Sequence, residues 1–165
     1  MTSAKSELAI FDRALPQITC STGNYYDIYP IENVQGKAVS VINFVINSSN
    51  EYIDLNDTLL YISLKAVQND LTDLPNNADV TPTNFCFHTL FSDVVLSLNG
   101  VEVEGGNGTY QWSALIENYL NFSSDTKNTQ LTPIGYNKTA NNRKGWVANS
   151  KIFDMCGSLR LGMFS

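Results

Sequence analysis

The chain has 165 residues, 43% of them hydrophobic, which is enough for one domain burying roughly two-thirds of its unfolded surface and excludes global disorder. Only 16% of the residues are charged, against a usual share of about a quarter. The net charge of −6 argues against a dedicated nucleic-acid binder, which needs clustered Lys and Arg to displace counterions from phosphates.

Residues 1–23 read as an arm, with a short helical turn around 6–13 that ends at Pro16. Glu7, Asp12 and Arg13 interrupt its apolar run, so it lacks the unbroken core of a secretory signal. No later window approaches the ~18 apolar residues of a membrane span. The expectation is a soluble protein made inside the cell and not secreted. The N-x-[ST] sequons at Asn47, Asn56, Asn107, Asn121 and Asn137 then reflect Asn, Ser and Thr richness rather than glycosylation.

The remainder, 24–165, reads as one domain. "NYYDIYPI" at 24–31 predicts an aromatic strand that ends or lies on an edge at Pro30, which has no N–H for a ladder. "AVSVINFVI" at 38–46 alternates with apolar residues on both sides, as in a strand covered on both faces. "TLLYISLKAV" at 58–67 has the cleanest period of two, with Leu60, Ile62, Leu64 and Ala66 inward and Tyr61, Ser63 and Lys65 outward. A polar, proline-punctuated segment follows at 68–84 and reads as a long surface loop.

"DVVLSLNGVEVE" at 93–104 predicts a hairpin. Asn99-Gly100 supplies the two positive-φ residues of a type I′ turn, with Val94, Leu96 and Leu98 toward the core. "GGNG" at 105–108 ends it. The helix pattern stands at 110–122: Trp112, Leu115, Ile116, Tyr119 and Leu120 form one apolar stripe, and Thr109 is the candidate N-cap. Residues 123–149 are polar and read as irregular. A last strand is expected over 158–164, with Leu159, Leu161 and Met163 on one face. Several strands, one inserted helix and long loops predict a mainly β fold, an antiparallel sandwich.

Signals for chemistry are weak. His88 is the only histidine, so any triad or histidine metal site would hang on it, and its neighbours Phe85, Phe87, Leu90 and Phe91 are apolar. Glu102 and Glu104 share one strand face, and Asp70 and Asp73 sit in a loop; both pairs read as solvated surface rather than acid–base couples. Cys20, Cys86 and Cys156 show no metal-ligand spacing and read as reduced thiols. The glycines at 105–108 lack both the lysine of a P-loop and a strand-to-helix context. Lys138, Arg143 and Lys144 form the nearest thing to a basic cluster and read as a solvated loop. The expectation is no enzyme, with no catalytic, cofactor-binding or metal residues, and no small-molecule substrate.

The order of signals carries more than any one of them. "KSELAIF" precedes "YIDLNDTLLYISLKAV"; then come "NFCFHTLFSDVVLSLNGVEVE", "TYQWSALIENYLNF", "KNTQL" and "FDMCGSLRLGMF". This series, from about residue 5 to 164, resembles the N-terminal part of the major capsid protein of Maverick/Polinton elements and the related adintoviruses. The resemblance implies a double jelly-roll capsid protein, with two eight-stranded sandwiches per subunit and a homotrimer as pseudo-hexameric capsomer of an icosahedral virion capsid. Residues 52–67 would then be early strands of the first roll, 92–104 the next hairpin, 110–122 the inserted helix and 158–164 a later strand. Family members run well beyond this point, so the chain is expected to hold an incomplete jelly roll, as a truncated copy or a fragment of a longer product. Its open core and unpaired edge predict poor solubility on its own. The competing reading is a lectin-like β-sandwich binding module using loop carboxylates with Tyr25, Tyr26 and Trp146.

Overall fold

The computed structural model describes residues 23–34, 41–47 and 53–164. The chain divides into two compact units, Met1–Glu51 and Tyr52–Ser165. Apart from Gly23, the expected arm lies outside the described residues.

In the first unit, the expected strands at 24–31 and 38–46 are not assembled into a ladder among the described residues. Residues 38–40 are not among those described. One backbone bond joins the two stretches, from the Ile31 N–H to the Asn43 carbonyl at 2.9 Å. The Glu32 carboxylate accepts from the Asn43 N–H at 2.8 Å and from its side-chain amide at 2.5 Å. These bonds, the backbone one first, hold the Glu32 carboxyl below its ordinary pKa. Val41, Ile42, Phe44, Val45 and Ile46 are all exposed, so neither face of this segment is covered as the alternation predicted.

The second unit runs β1 (Leu60–Lys65), α1 (Cys86–Thr89), β2 (Leu96–Leu98), β3 (Val101–Glu104), α2 (Tyr110–Asn121), α3 (Ser124–Thr129), α4 (Ala140–Val147) and β4 (Ile152–Gly157). The strands form two antiparallel pairs, β1–β4 and β2–β3. Helix outweighs strand among the described residues, about 30% against 16%, so the expected mainly β composition with a single helix is corrected to strands plus several helices.

Strand β1 keeps its predicted facing. Leu60, Ile62 and Leu64 are half-buried while Tyr61 and Lys65 are exposed. It pairs with β4 from Leu60↔Gly157 to Lys65↔Ile152, which places Met155 opposite Ile62 and Phe153 opposite Leu64. The last strand therefore lies at 152–157 rather than 158–164. Leu161 and Phe164 are buried and residues 162–164 turn into a 3-10 helix, so they anchor the end of the chain without extending the sheet. At Gly157 a Cβ would stand 2.3 Å from Ile134 Cγ2, so only glycine fits between β4 and the turn carrying Ile134.

The hairpin forms as predicted, with Asn99 at φ 50° and Gly100 at φ 79° closing a two-residue loop between Leu98 and Val101. A bulge between Leu96 and Ser97 sets Leu96 opposite Glu104. Val94 and Leu96 pack inward, whereas Leu98 is exposed, a correction to the expected core-facing trio.

Two apolar clusters hold the unit together. One gathers Phe85, Cys86, Phe87, Leu131, Ile134 and Met155 against the inner face of β1. The other gathers Tyr110, Ala114, Leu161 and Phe164 with Leu96 and Phe91 at its margin. Leu159 packs on both.

The segment expected to be irregular, 123–149, contains α3 and α4. Ser123 caps α3 by accepting from the Thr126 N–H at 3.2 Å. Helix α4 has no apolar stripe and is held through polar contacts with the 68–84 loop. Arg143 Nε donates to the Pro82 carbonyl at 3.0 Å, its Nη1 donates to the Asn137 carbonyl, and Lys144 pairs with Asp79 at 2.8 Å.

Candidate functional site

Burial decides what His88 can do. Its position is set by Phe85, which caps α1 in a left-handed conformation at φ 55° and is itself fully buried between the rings of Tyr119 and Tyr136, each 5.0 Å away. His88 follows within that short helix and is also fully buried, its ring edge-on to Phe87. Its Nδ1 lies 3.0 Å from the Tyr110 hydroxyl, and no hydrogen-bond partner stands at Nε2. Burial, reinforced by the positive charge of Arg160, pushes the imidazole pKa down to about 4. At neutral pH the ring is therefore uncharged and sealed from solvent.

Around it a polar knot closes along α2 from Tyr110 to Phe122. The Arg160 backbone N–H donates to Tyr110 Oη at 3.4 Å, and Arg160 Nη2 donates to Asn118 Oδ1 at the same distance. Asn118, fully buried, donates its amide to the Ala114 carbonyl at 2.7 Å. The Arg160 guanidinium also lies 3.7 Å from Glu117 and 5.2 Å over the Phe122 ring.

The carboxylate pairs serve the fold. Glu104 is half-buried and takes the N–H groups of Gly162 and Met163 at 2.5 and 3.2 Å, capping the terminal 3-10 helix. Asp73 pairs with Lys65 at 2.7 Å. Asp70 accepts from the Thr72 hydroxyl at 2.6 Å and its N–H at 3.1 Å, which hold its pKa low. Cys86 is buried, and burial raises its thiol pKa; Cys156 is half-buried, and Cys20 lies outside the described residues. Among the described residues no three His, Cys, Asp or Glu side chains converge as a metal site, and no helix is long and apolar enough to cross a membrane. Of the basic cluster, Arg143 and Lys144 are engaged with the 68–84 loop and its surroundings, and Lys138 is exposed. Tyr25 and Tyr26 are exposed in the first unit, and Trp146 is half-buried on α4.

The apolar pattern of α2 does not coincide with its buried row. Tyr110, Ala114 and Asn118, four residues apart, are the buried row. Most of the apolar stripe faces solvent, with Trp112 60% exposed, Ile116 56% and Leu120 77%, while Leu115 packs against the cluster around Phe85. Leu115 and Tyr119 border it and, with Trp112, Gln111, Thr83, Asn84 and Thr89, line an open groove of about 400 Å³. Lys127 spans the rim of this face, donating to the Tyr119 carbonyl at 2.6 Å with its ammonium 5.4 Å over the Tyr119 ring.

Comparisons with protein-family models, with curated proteins and with solved structures each return no match.

Proposed function

We propose that this chain is a non-catalytic structural subunit, resembling the N-terminal part of a double jelly-roll major capsid protein, and that it works by self-association into a trimeric capsomer of a virion shell. The outward apolar stripe of α2 is the observation that carries this reading, because a monomer gains nothing from presenting Trp112, Ile116 and Leu120 together to water. The series of motifs from about residue 5 to 164 and the low charge content support it, since interface centres are depleted of charge. On this reading the two strand pairs are portions of one incomplete roll, and the edges of β1 to β4 continue into strands supplied by further chain or by neighbours. The fully buried His88 belongs to the packing of that roll and takes no part in chemistry.

Sedimentation velocity of the full chain over a range of concentrations tests the reading. The expected result is a reversible monomer–trimer equilibrium. Trp112→Glu weakens it by about 2 kcal/mol or more, as for an anchor residue at an interface centre. A chain that stays monomeric at all concentrations, with wild type and Trp112→Glu indistinguishable, overturns it.

A further inference from the structure

The segment after β4 is held by an unusual set of contacts. Leu161 and Phe164 enter the cluster around Tyr110 and Ala114, and Glu104 caps the turn at Gly162 and Met163. Arg160, between them, is the polar anchor, touching Tyr110 through its backbone and Asn118, Glu117 and Phe122 through its guanidinium. His88 reaches the same Tyr110 hydroxyl through Nδ1, at 3.0 Å.

We propose that His88, Tyr110 and Arg160 form an acid-released latch that holds residues 158–164 against helix α2. A tyrosine hydroxyl has one proton. Oη accepts from the Arg160 N–H, and its proton is assigned to His88 Nδ1, so that the neutral ring carries its own hydrogen on Nε2, where no partner stands. Protonating His88 puts a hydrogen on Nδ1. Tyr110 Oη then faces two N–H donors and its own hydrogen loses its acceptor. The same step places a second positive charge beside Arg160, whose Nε is likewise buried without a partner.

The charged and titratable groups around the latch are Arg160 from the terminal segment, Tyr110 and Glu117 from α2, and Cys86 on the histidine's own helix. Glu117 is the one acidic group among them. It stands 3.7 Å from the Arg160 guanidinium and makes no recorded contact with His88. Moving the segment 158–164 away separates the imidazole from the Arg160 charge and removes the second donor to Tyr110 Oη, so the open state binds the proton more tightly than the closed one.

The direction of the pH dependence follows. The closed state holds the imidazole below its ordinary 6.5, at about 4, so closure is fully supported above 6.5 and weakens as pH falls toward 4. Over that window the opening equilibrium of the segment rises, with about 100-fold as the upper bound if opening restores the ordinary value in full.

A single histidine makes the test direct, because nitrogen NMR of histidine-labelled full chain reports His88 alone. The expected spectrum shows hydrogen on Nε2 at neutral pH and titration well below 6.5. Hydrogen–deuterium exchange, corrected for intrinsic rates, is expected to show residues 158–164 losing protection over the same window while α3 and α4 keep theirs. In His88→Gln, which retains a group able to meet the Tyr110 hydroxyl, the segment's exchange no longer depends on pH in that range. Should that variant fail to fold, the wild-type titration and exchange decide alone. An imidazole titrating near 6.5, hydrogen on Nδ1, unchanged protection of 158–164 through the titration, or simultaneous loss of protection everywhere each overturn the latch.

Discussion

Strand β1 and helix α2 carry equally clear amphipathic patterns and use them in opposite ways. Leu60, Ile62 and Leu64 turn inward against Met155 and Phe153, so β1 spends its apolar face on its own unit. Helix α2 turns inward a tyrosine, an alanine and an asparagine, and leaves Trp112, Ile116 and Leu120 outside. A period identifies which side chains share a face but says nothing of what lies opposite it. The strand's face is covered within the described chain, whereas most of the helix's apolar stripe stays exposed among the described residues.

That contrast breaks most sharply in the core beside β1. Met155→Ala removes the side chain packed opposite Ile62 and is expected to cost about 2–5 kcal/mol, read as a lower denaturant midpoint at unchanged slope. Gly157→Ala drives a methyl into Ile134 and is expected to cost about 1–3 kcal/mol by the same measurement. On the buried side of α2, Asn118→Ala deprives Arg160 of an acceptor at no gain in apolar packing, for a loss of about 1–2 kcal/mol. Trp112→Ala, on the outer side, is expected to leave the monomer's stability within about 0.5 kcal/mol while reducing self-association. If Trp112→Ala instead destabilised the monomer as much as Met155→Ala, the two faces would not differ and the contrast would fail.

The local elements were legible to the extent that their causes are local. Period two and Asn99-Gly100 placed β1 and the hairpin, and the i, i+3, i+4 spacing placed α2 to within a residue of its end. The last strand was displaced because "SLRLGMF" alternates as well as "IFDMCG" does. The choice between them rests on the register with β1 and on Glu104 capping the turn at Gly162, both remote in sequence. Helix α4 left no trace, since it is held by Arg143 and Lys144 reaching Pro82 and Asp79 rather than by an apolar stripe. Helix α3 offered one readable sign, Ser123 three residues before Thr126 with Asp125 in the first turn. The tie of His88 to Arg160 was invisible because it spans nearly half the chain.

The pairing of β1 with β4 also sets an order in time. Leu60 meets Gly157, so almost the whole second unit lies in the loop that this register closes. Loop closure over such a span is slow compared with forming a two-residue hairpin or a helix. During synthesis, the edge of β1 that pairs with β4 therefore stays open until β4 has left the ribosome, and the nascent chain is most exposed to misassociation in that interval.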